Sequence, residues 1–418
     1  MRSFFSRLAG LLLRLDGSGK YPHHPPRDDV AMLNNIEIII CLLLLFMGVP
    51  DLCRKLGRPA LGYPTFVVMG LCLAPLVNVP VQTMLQQAGE VGFVLLLFEV
   101  GLEIELPHPR ELVRPLRFVL LWALCQYPLL FLVARVTGIS LAESLVAAAA
   151  LTSCSVGMAH AAWKHYALPD AATRTYVLYL MILLELLAVV LLSVETVVVE
   201  AGWSWRVPFH LAGIVVVVLL IAGFTVHVNR LFQTVLEKTT HWRVHFLVLL
   251  VLVICAAGER LFGLAAPKTG FLLGLFMSRI QHDGKGAEEY MAPVSRRFLI
   301  PLFFVALGMQ LSWRLLFTPT AALALGTAGL LLGFREVLHR RWLKTGGDRF
   351  TFLLLTPNFT IVALAADSLL RHGGGGLVAP WLLMSGLFMT VLSLLCLPRI
   401  VSEISPPPGS TAATPDQP

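Results

Sequence analysis

The chain has 418 residues, of which 57% are hydrophobic and 14% charged, with a formal net charge of +7. A soluble domain carries about 25% charged residues, so the composition leaves no room for a long soluble domain and points to a polytopic membrane protein. Basic loops between spans account for the positive charge without nucleic acid, and the seven cysteines form no CxxC pair or Cys/His cluster, so neither a disulfide framework, a zinc site nor another cofactor is indicated.

Residues 1–35 form a basic, faintly amphipathic start and a Pro-rich linker, expected to be an interfacial or partly untranslated tail. Translation from Met32 would leave only a short tail to translocate. Residues 36–401 read as one transmembrane domain, and the polar, Pro-rich residues 402–418 as a disordered tail. Hydropathy gives about thirteen spans: 36–49, 63–77, 89–106, 116–136, 142–163, 174–199, 207–228, 244–261, 269–280, 298–313, 319–337, 350–370 and 377–400. Odd-numbered loops hold about twenty Lys and Arg residues against six in even-numbered loops. That bias places the odd loops and the C-terminus in the cytoplasm and the N-terminus outside.

In the third span Glu99 and Glu103 share a helical face. Glu99 reads either as a second carboxyl near an ion path or as a structural hydrogen-bond partner, and Glu103 and Glu105 as structural. The fifth span is interrupted by Thr152-Ser153-Cys154-Ser155, followed by Gly157. His160, further along, reads as a core histidine or a proton relay. The sixth span, YVLYLMILLELLAVVLLSVETVVV, carries Glu185 near its middle. A carboxylate at bilayer depth costs about 2.5–3.5 kcal/mol on insertion scales, so such residues face a protein interior or a wet cavity. Desolvation favours its neutral form, which makes Glu185 a candidate for holding and releasing a proton.

The twelfth span is interrupted by Thr356-Pro357-Asn358-Phe359-Thr360. Proline removes a backbone donor and clashes with the preceding turn, and irregular backbone at that depth is tolerated only inside protein or along a cavity. Spans five and twelve are seven apart and so cross in opposite directions. Two oppositely directed broken helices are the signature of inverted-repeat secondary transporters. The plainer reading is a proline kink with small-residue packing faces at Gly270/Gly274 and Gly329/Gly333.

Several stretches carry a family resemblance. GEVGFVLLLFEVGLEIEL (89–106) resembles the third helix of the monovalent cation:proton antiporter-2 family, the Kef- and Nap-type exchangers. ALTSCSVGMAH (150–160) resembles its fifth helix, and GLAAPKTGFLLGLFMSRI (263–280) with IPLFFVALGMQLSW (300–313) its ninth and tenth. LLLTPNFTIVALAADSLL (353–370) takes the place of its second broken helix. The resemblance covers nearly all of 36–400 and implies an all-α inverted-repeat antiporter fold, in which a six-helix core slides against a dimerisation domain of a homodimer. The chain departs from that pattern in three places. The usual acidic pair of the sixth helix is replaced by Leu184-Glu185, and Pro-Arg-Gly-Glu by Pro357-Asn358-Phe359-Thr360. The basic residue of the eleventh helix has Arg335 as its nearest candidate, which either faces the acidic site or snorkels to the interface. The nucleotide-binding domain appended in Kef-type channels is not among these residues, and gating by that route is not expected.

The expected function is therefore exchange of Na⁺ or K⁺ for protons by alternating access in a bacterial-type plasma membrane. One exchangeable carboxyl suits electroneutral exchange. Glu185 would hold the cation together with Thr152, Ser153, Ser155 and Asn358, since hard cations take oxygen ligands. Thr356, Pro357, Thr360 and Gly157 would shape the breaks. A cation channel and a transport-inactive sensor or accessory protein on the same fold are the alternatives. An intramembrane enzyme would need HExxH, GxGD or a nucleophile–base pair, and none is present.

Overall fold

The computed structural model describes residues 34–103, 109–201, 230–234, 243–262, 266–277, 281–282, 285–311, 313–371 and 376–398, with 223 and 227 singly. The tails, Glu105 and nearly all of the expected seventh span lie outside these residues. Among the described residues, ten segments are helical, long and apolar enough to cross a membrane. The all-helical membrane architecture expected from the sequence is what the structure has.

Helix α1 (Asn35–Lys55) starts at Asn34, whose backbone N–H donates to the Glu37 carboxylate at 3.0 Å. α2 (Gly62–Leu73) and α3 (Val79–Glu103) follow. α3 begins before residue 89, where the sequence placed it, because its polar first turns are used in packing: Gln82 Nε2 donates to the Met309 carbonyl at 2.8 Å. α4 spans Pro109–Thr137. α5 (Leu141–Thr152) is started by a reciprocal cap, in which Ser140 Oγ accepts from the Glu143 N–H and the Glu143 carboxylate accepts from the Ser140 N–H. α6 (Val156–His165) continues the same span after a break, and α7 (Ala171–Ala201) returns across the membrane.

α8 (Arg243–Phe262) and α9 (Ala266–Met277) take the places of the eighth and ninth expected spans. A two-residue hairpin, β1 (Gln281–His282) with β2 (Lys285–Gly286), leads into α10 (Ala287–Val294). A π-helical turn at Ser295–Leu299 joins α10 to α11 (Ile300–Met309). The tenth span thus starts before residue 298. Arg296 and Arg297 read as loop in the sequence, yet Arg296 Nε lies 2.7 Å from the buried Glu99 carboxylate, which lets a charged turn stay helical. After α12 (Trp313–Leu316) come α13 (Pro319–Arg341), a 3₁₀ turn at Thr351–Leu355, α14 (Phe359–Arg371) and α15 (Val378–Cys396).

The helices pack as two sets. α3 lies along α9 and α11, and α2 against α11. These crossings are close because glycines meet backbone: a Cβ at Gly70 would strike the Val305 carbonyl and one at Gly308 the Val67 carbonyl. Likewise, Cβ atoms at Gly101 and Gly274 would strike the Phe271 and Phe98 carbonyls. The Gly270/Gly274 face named from the sequence is therefore a packing face of α9 on α3. Gly329 and Gly333 differ, since a Cβ at either meets nothing within 4 Å. The second set gathers α4, α5, α7, α13, α14 and α15, with α6 reaching across to α3.

Overpacking at a backbone contact typically costs about 1–3 kcal/mol. Gly308→Ala and Gly274→Ala should each lower the melting temperature of the detergent-solubilised protein, whereas Gly329→Ala should leave it within experimental scatter. Thermal melts followed by size-exclusion fluorescence measure all three.

Candidate functional site

The fifth and twelfth spans both break in the middle, and the breaks touch. α5 ends at Thr152, residues 153–155 are extended, and α6 begins at Val156. The 3₁₀ turn ends at Leu355 and α14 begins at Phe359. The Ser155 N–H donates to the Pro357 carbonyl at 2.6 Å, and Thr360 Oγ1 to Ser155 Oγ at 2.5 Å. Cys154 Sγ faces the Leu354 carbonyl at 3.4 Å.

The two spans run in opposite directions. Tyr166, just after α6, donates its phenolic O–H to the Asp348 carboxylate at 2.6 Å, and Asp348 lies just before the 3₁₀ turn. The end of one broken span thus meets the start of the other on one face of the bundle. Asp348 also accepts from the Phe350 N–H at 3.1 Å and the Thr351 hydroxyl at 3.0 Å. Gly346, at φ +90°, supplies the left-handed turn that brings this loop back.

Glu185, in α7, is fully buried, and its Oε2 accepts the Val156 N–H at 2.9 Å. That amide is the first of α6, where a helix carries up to about half a positive charge. The carboxylate therefore lies against the positive start of that helix.

Arg335 is also fully buried, so the snorkelling role left open by the sequence does not apply. Its Nη2 donates to the Leu151 carbonyl at 2.7 Å and its Nη1 to the Leu355 carbonyl at 3.4 Å, while Nε donates to Gln126 Oε1 at 2.7 Å. Leu151 is near the C-terminal end of α5 and Leu355 ends the 3₁₀ turn, the negative ends of their segments. One guanidinium thus serves the C-terminal ends of the two segments that enter the breaks, and one carboxylate the N-terminal end of the helix that leaves the first. The Cys154 thiol is within electrostatic reach of both Glu185 and Arg335.

Thr152, Ser153, Ser155, Thr356, Asn358 and Thr360 are all buried at the two breaks. Thr152, Ser153 and Thr356 donate to the carbonyls of Ala148, Ala150 and Phe352, each within its own helical turn. Their oxygens keep lone pairs for a further donor or cation. Asn358 Nδ2 donates to the Leu151 carbonyl at 2.9 Å and its backbone N–H to Thr390 Oγ1 at 3.2 Å, while Asn358 Oδ1 is buried with no hydrogen-bond partner.

Two expected residues sit differently. Gly157 lies inside α6, not in the break, and a Cβ there would come 2.7 Å from Val100 Cγ2 of α3. Its part is close packing between the two helix sets. Glu99 is engaged outside the two breaks in this geometry: Ser295 Oγ and Arg296 Nε both donate to its carboxylate. Ser295 is fully buried. His160 stacks on Trp163 with ring centroids 5.2 Å apart. Sequence reasoning missed Gln126, Thr390 and the Tyr166–Asp348 pair. A lone amide in the apolar fourth span was a usable signal for Gln126, whereas Asp348 lies in a polar loop and stood out in no way.

The transmembrane sodium/hydrogen exchanger family model matches residues 41–402. The chain belongs to that family. It is an integral membrane protein and a secondary active cation/proton exchanger, as the family's members are. It is 24% identical over 386 residues to the probable Na⁺/H⁺ antiporter 3 of Methanocaldococcus jannaschii, covering 88% of this chain and 94% of that protein. It is 25% identical over 284 residues to the ammonium/H⁺ antiporter subunit AmhT of Alkalihalophilus pseudofirmus, covering 66% and 70%. Its fold matches that of the sodium proton antiporter MjNhaP1 from Methanocaldococcus jannaschii with a TM-score of 0.61 at 15% identity, over 86% of this chain and 98% of the other. The sequence motifs pointed to the neighbouring Kef- and Nap-type branch; the family match supports the broader sodium/hydrogen exchanger assignment.

Burial, then the Asp348 carboxylate, push the Tyr166 phenol above its usual range. A group whose folded-state value is raised contributes stability below its unfolded value, here about pH 10, and loses it as pH climbs further. Tyr166→Phe should cost about 1–2 kcal/mol at neutral pH and speed amide exchange over residues 345–351, as measured by hydrogen–deuterium exchange.

Proposed function

We propose that this exchanger moves one monovalent cation against one proton at Glu185, without net charge transfer. The observation that carries the reading is a fully buried carboxylate held on the first amide of α6, at the break. When ionised, Glu185 receives a dehydrated cation together with the Asn358 carbonyl oxygen and the hydroxyls of Thr152, Ser153 and Ser155. The unpartnered Asn358 Oδ1 supports this, because a buried acceptor without a donor is costly unless a cation coordinates its lone pair. Protonation of Glu185 removes the charge that retains the cation. A single group cannot hold both, and that competition couples the two fluxes.

The coupling sets the pH sign. Falling pH loads Glu185 with protons and raises the apparent KM for the cation; rising pH frees the carboxylate and lowers it. Arg335 answers the negative helix ends throughout and itself holds neither the proton nor the cation. Glu99 is left out of the ligand set, because Arg296 and Ser295 already engage it. Na⁺ and K⁺ are the cations favoured by an all-oxygen site, and ammonium joins the screen because one relative's name carries it. Within the family, the motifs at 89–106 and 300–313 favour the Kef- and Nap-type branch. The same reading takes the protein as a homodimer of about thirteen spans per chain in a bacterial-type plasma membrane. Its C-terminus is cytoplasmic and its N-terminus outside, on the strength of the loop charge bias.

Acid-quench fluorescence in proteoliposomes tests the central claim, scanned across Li⁺, Na⁺, K⁺, Rb⁺ and NH₄⁺. Glu185→Gln should abolish cation-dependent proton movement while the protein still folds, and Glu185→Asp should keep part of it with altered affinity. An imposed membrane potential should not drive exchange in the wild type. Full exchange by Glu185→Gln, or flux in no cation, would refute the mechanism.

Asn358→Ala removes a neutral ligand and no titrating group. Its apparent cation KM should rise about fivefold to tenfold, equivalent to roughly 1 kcal/mol, with the pH dependence of exchange kept. KM measured at three pH values separates the two effects.

A further inference from the structure

Gln126 lies midway along α4, fully buried within the apolar run 118–134. A buried amide has to be satisfied at both ends. Its Nε2 donates to the Trp122 carbonyl at 2.7 Å, and its Oε1 accepts from Arg335 Nε at 2.7 Å. Arginine has no acceptor, so only the oxygen end of the amide can face it, and the two bonds together fix the amide's orientation. The same bond fixes the roll of the guanidinium about its long axis. With Nε held by Gln126, Nη1 and Nη2 are turned to the Leu355 and Leu151 carbonyls.

α4 precedes the first broken span and α13, which carries Arg335, precedes the second. The bond therefore joins the helices that lead into each break. We propose that Gln126 is a positioning residue for exchange, aiming Arg335 so that its one guanidinium spans the C-terminal ends of the two segments that enter the breaks. The proposal rests on Glu185 being the exchanging carboxyl, because the charge Arg335 presents at the helix ends sets how strongly Glu185 holds a proton against a cation. Among the described residues, the charged and titratable groups brought to this crossing are Glu185 from α7, Cys154 from the first break and Arg335 from α13. The second break and α15 bring Asn358, Thr360 and Thr390, and α4 brings Gln126 itself.

Two variants separate positioning from packing. Gln126→Glu keeps the shape but sets a carboxylate against Arg335. That cancels the positive charge offered to the helix ends, makes the crossing more negative and favours the protonated Glu185. The pH range of exchange should move upward by about half to one unit. Gln126→Leu leaves Arg335 Nε buried without an acceptor and the guanidinium free to roll, and the apparent cation KM should rise about threefold to tenfold. Both are measured in proteoliposomes beside the wild type and Glu185→Gln. A residue that only filled space would lower the yield and melting temperature and leave the pH profile and KM of the surviving protein unchanged. That result, with Glu185→Gln still inactive, overturns the positioning role and leaves the Glu185 mechanism standing. Exchange that survives Glu185→Gln overturns both.

Discussion

Breaking a helix at bilayer depth strands backbone donors and acceptors that lipid cannot satisfy, and this protein breaks two helices in one place. The solution is mutual. The Ser155 amide uses the Pro357 carbonyl, the Val156 amide uses the Glu185 carboxylate, and the Asn358 amide uses the Thr390 hydroxyl. On the acceptor side, Leu151 takes donors from both Arg335 and Asn358, and Leu355 takes one from Arg335. The residues to which we assign the exchange chemistry are also those that satisfy the breaks. Function and fold are inseparable at this point: removing Arg335 or Glu185 would expose backbone groups as well as erase a charge.

This shared role sets the acidic and the basic residue at different points of the crossing, both buried. Each answers helix ends of the opposite sign. Glu185 meets the positive start of α6, and Arg335 the negative ends of α5 and the 3₁₀ turn. Proton and monovalent cation carry the same charge. On the proposed mechanism, whichever one occupies Glu185 restores the same total charge at the crossing, which would be the electrostatic basis for exchange without net charge.

The features that sequence revealed were those written in chemical extremes. A carboxylate in the middle of YVLYLMILLELLAVVLL, a proline with Asn358 behind it, and a serine cluster in an apolar span all stand out against their surroundings, and all fall at the crossing. Arg335 stood out too, but its direction did not. One-dimensional reading cannot tell a side chain that reaches the interface from one that turns inward, because both need the same stem. Glu99 was ambiguous for a related reason: its partners Ser295 and Arg296 are nearly two hundred residues away and looked like loop. Helix starts were misjudged where polar residues serve packing, as with Gln82 on the Met309 carbonyl. Gln126 was legible as an oddity, though nothing in the chain names Arg335 as its partner.

The contact between Gly157 and Val100 bears on how such a machine moves. It joins α6, from the set that holds the crossing, to α3, from the set of close glycine crossings, and at Gly157 the helix surface has no side chain. In the cycle that the family resemblance implies, where a six-helix core slides against a dimerisation domain, this contact would be a bearing surface. A smooth bearing gives a shallow series of energy steps along the path, whereas interlocking branched side chains would act as detents that must be climbed one by one. On that reading the missing methyl group would lower the friction of the transport cycle at a position that touches no ion.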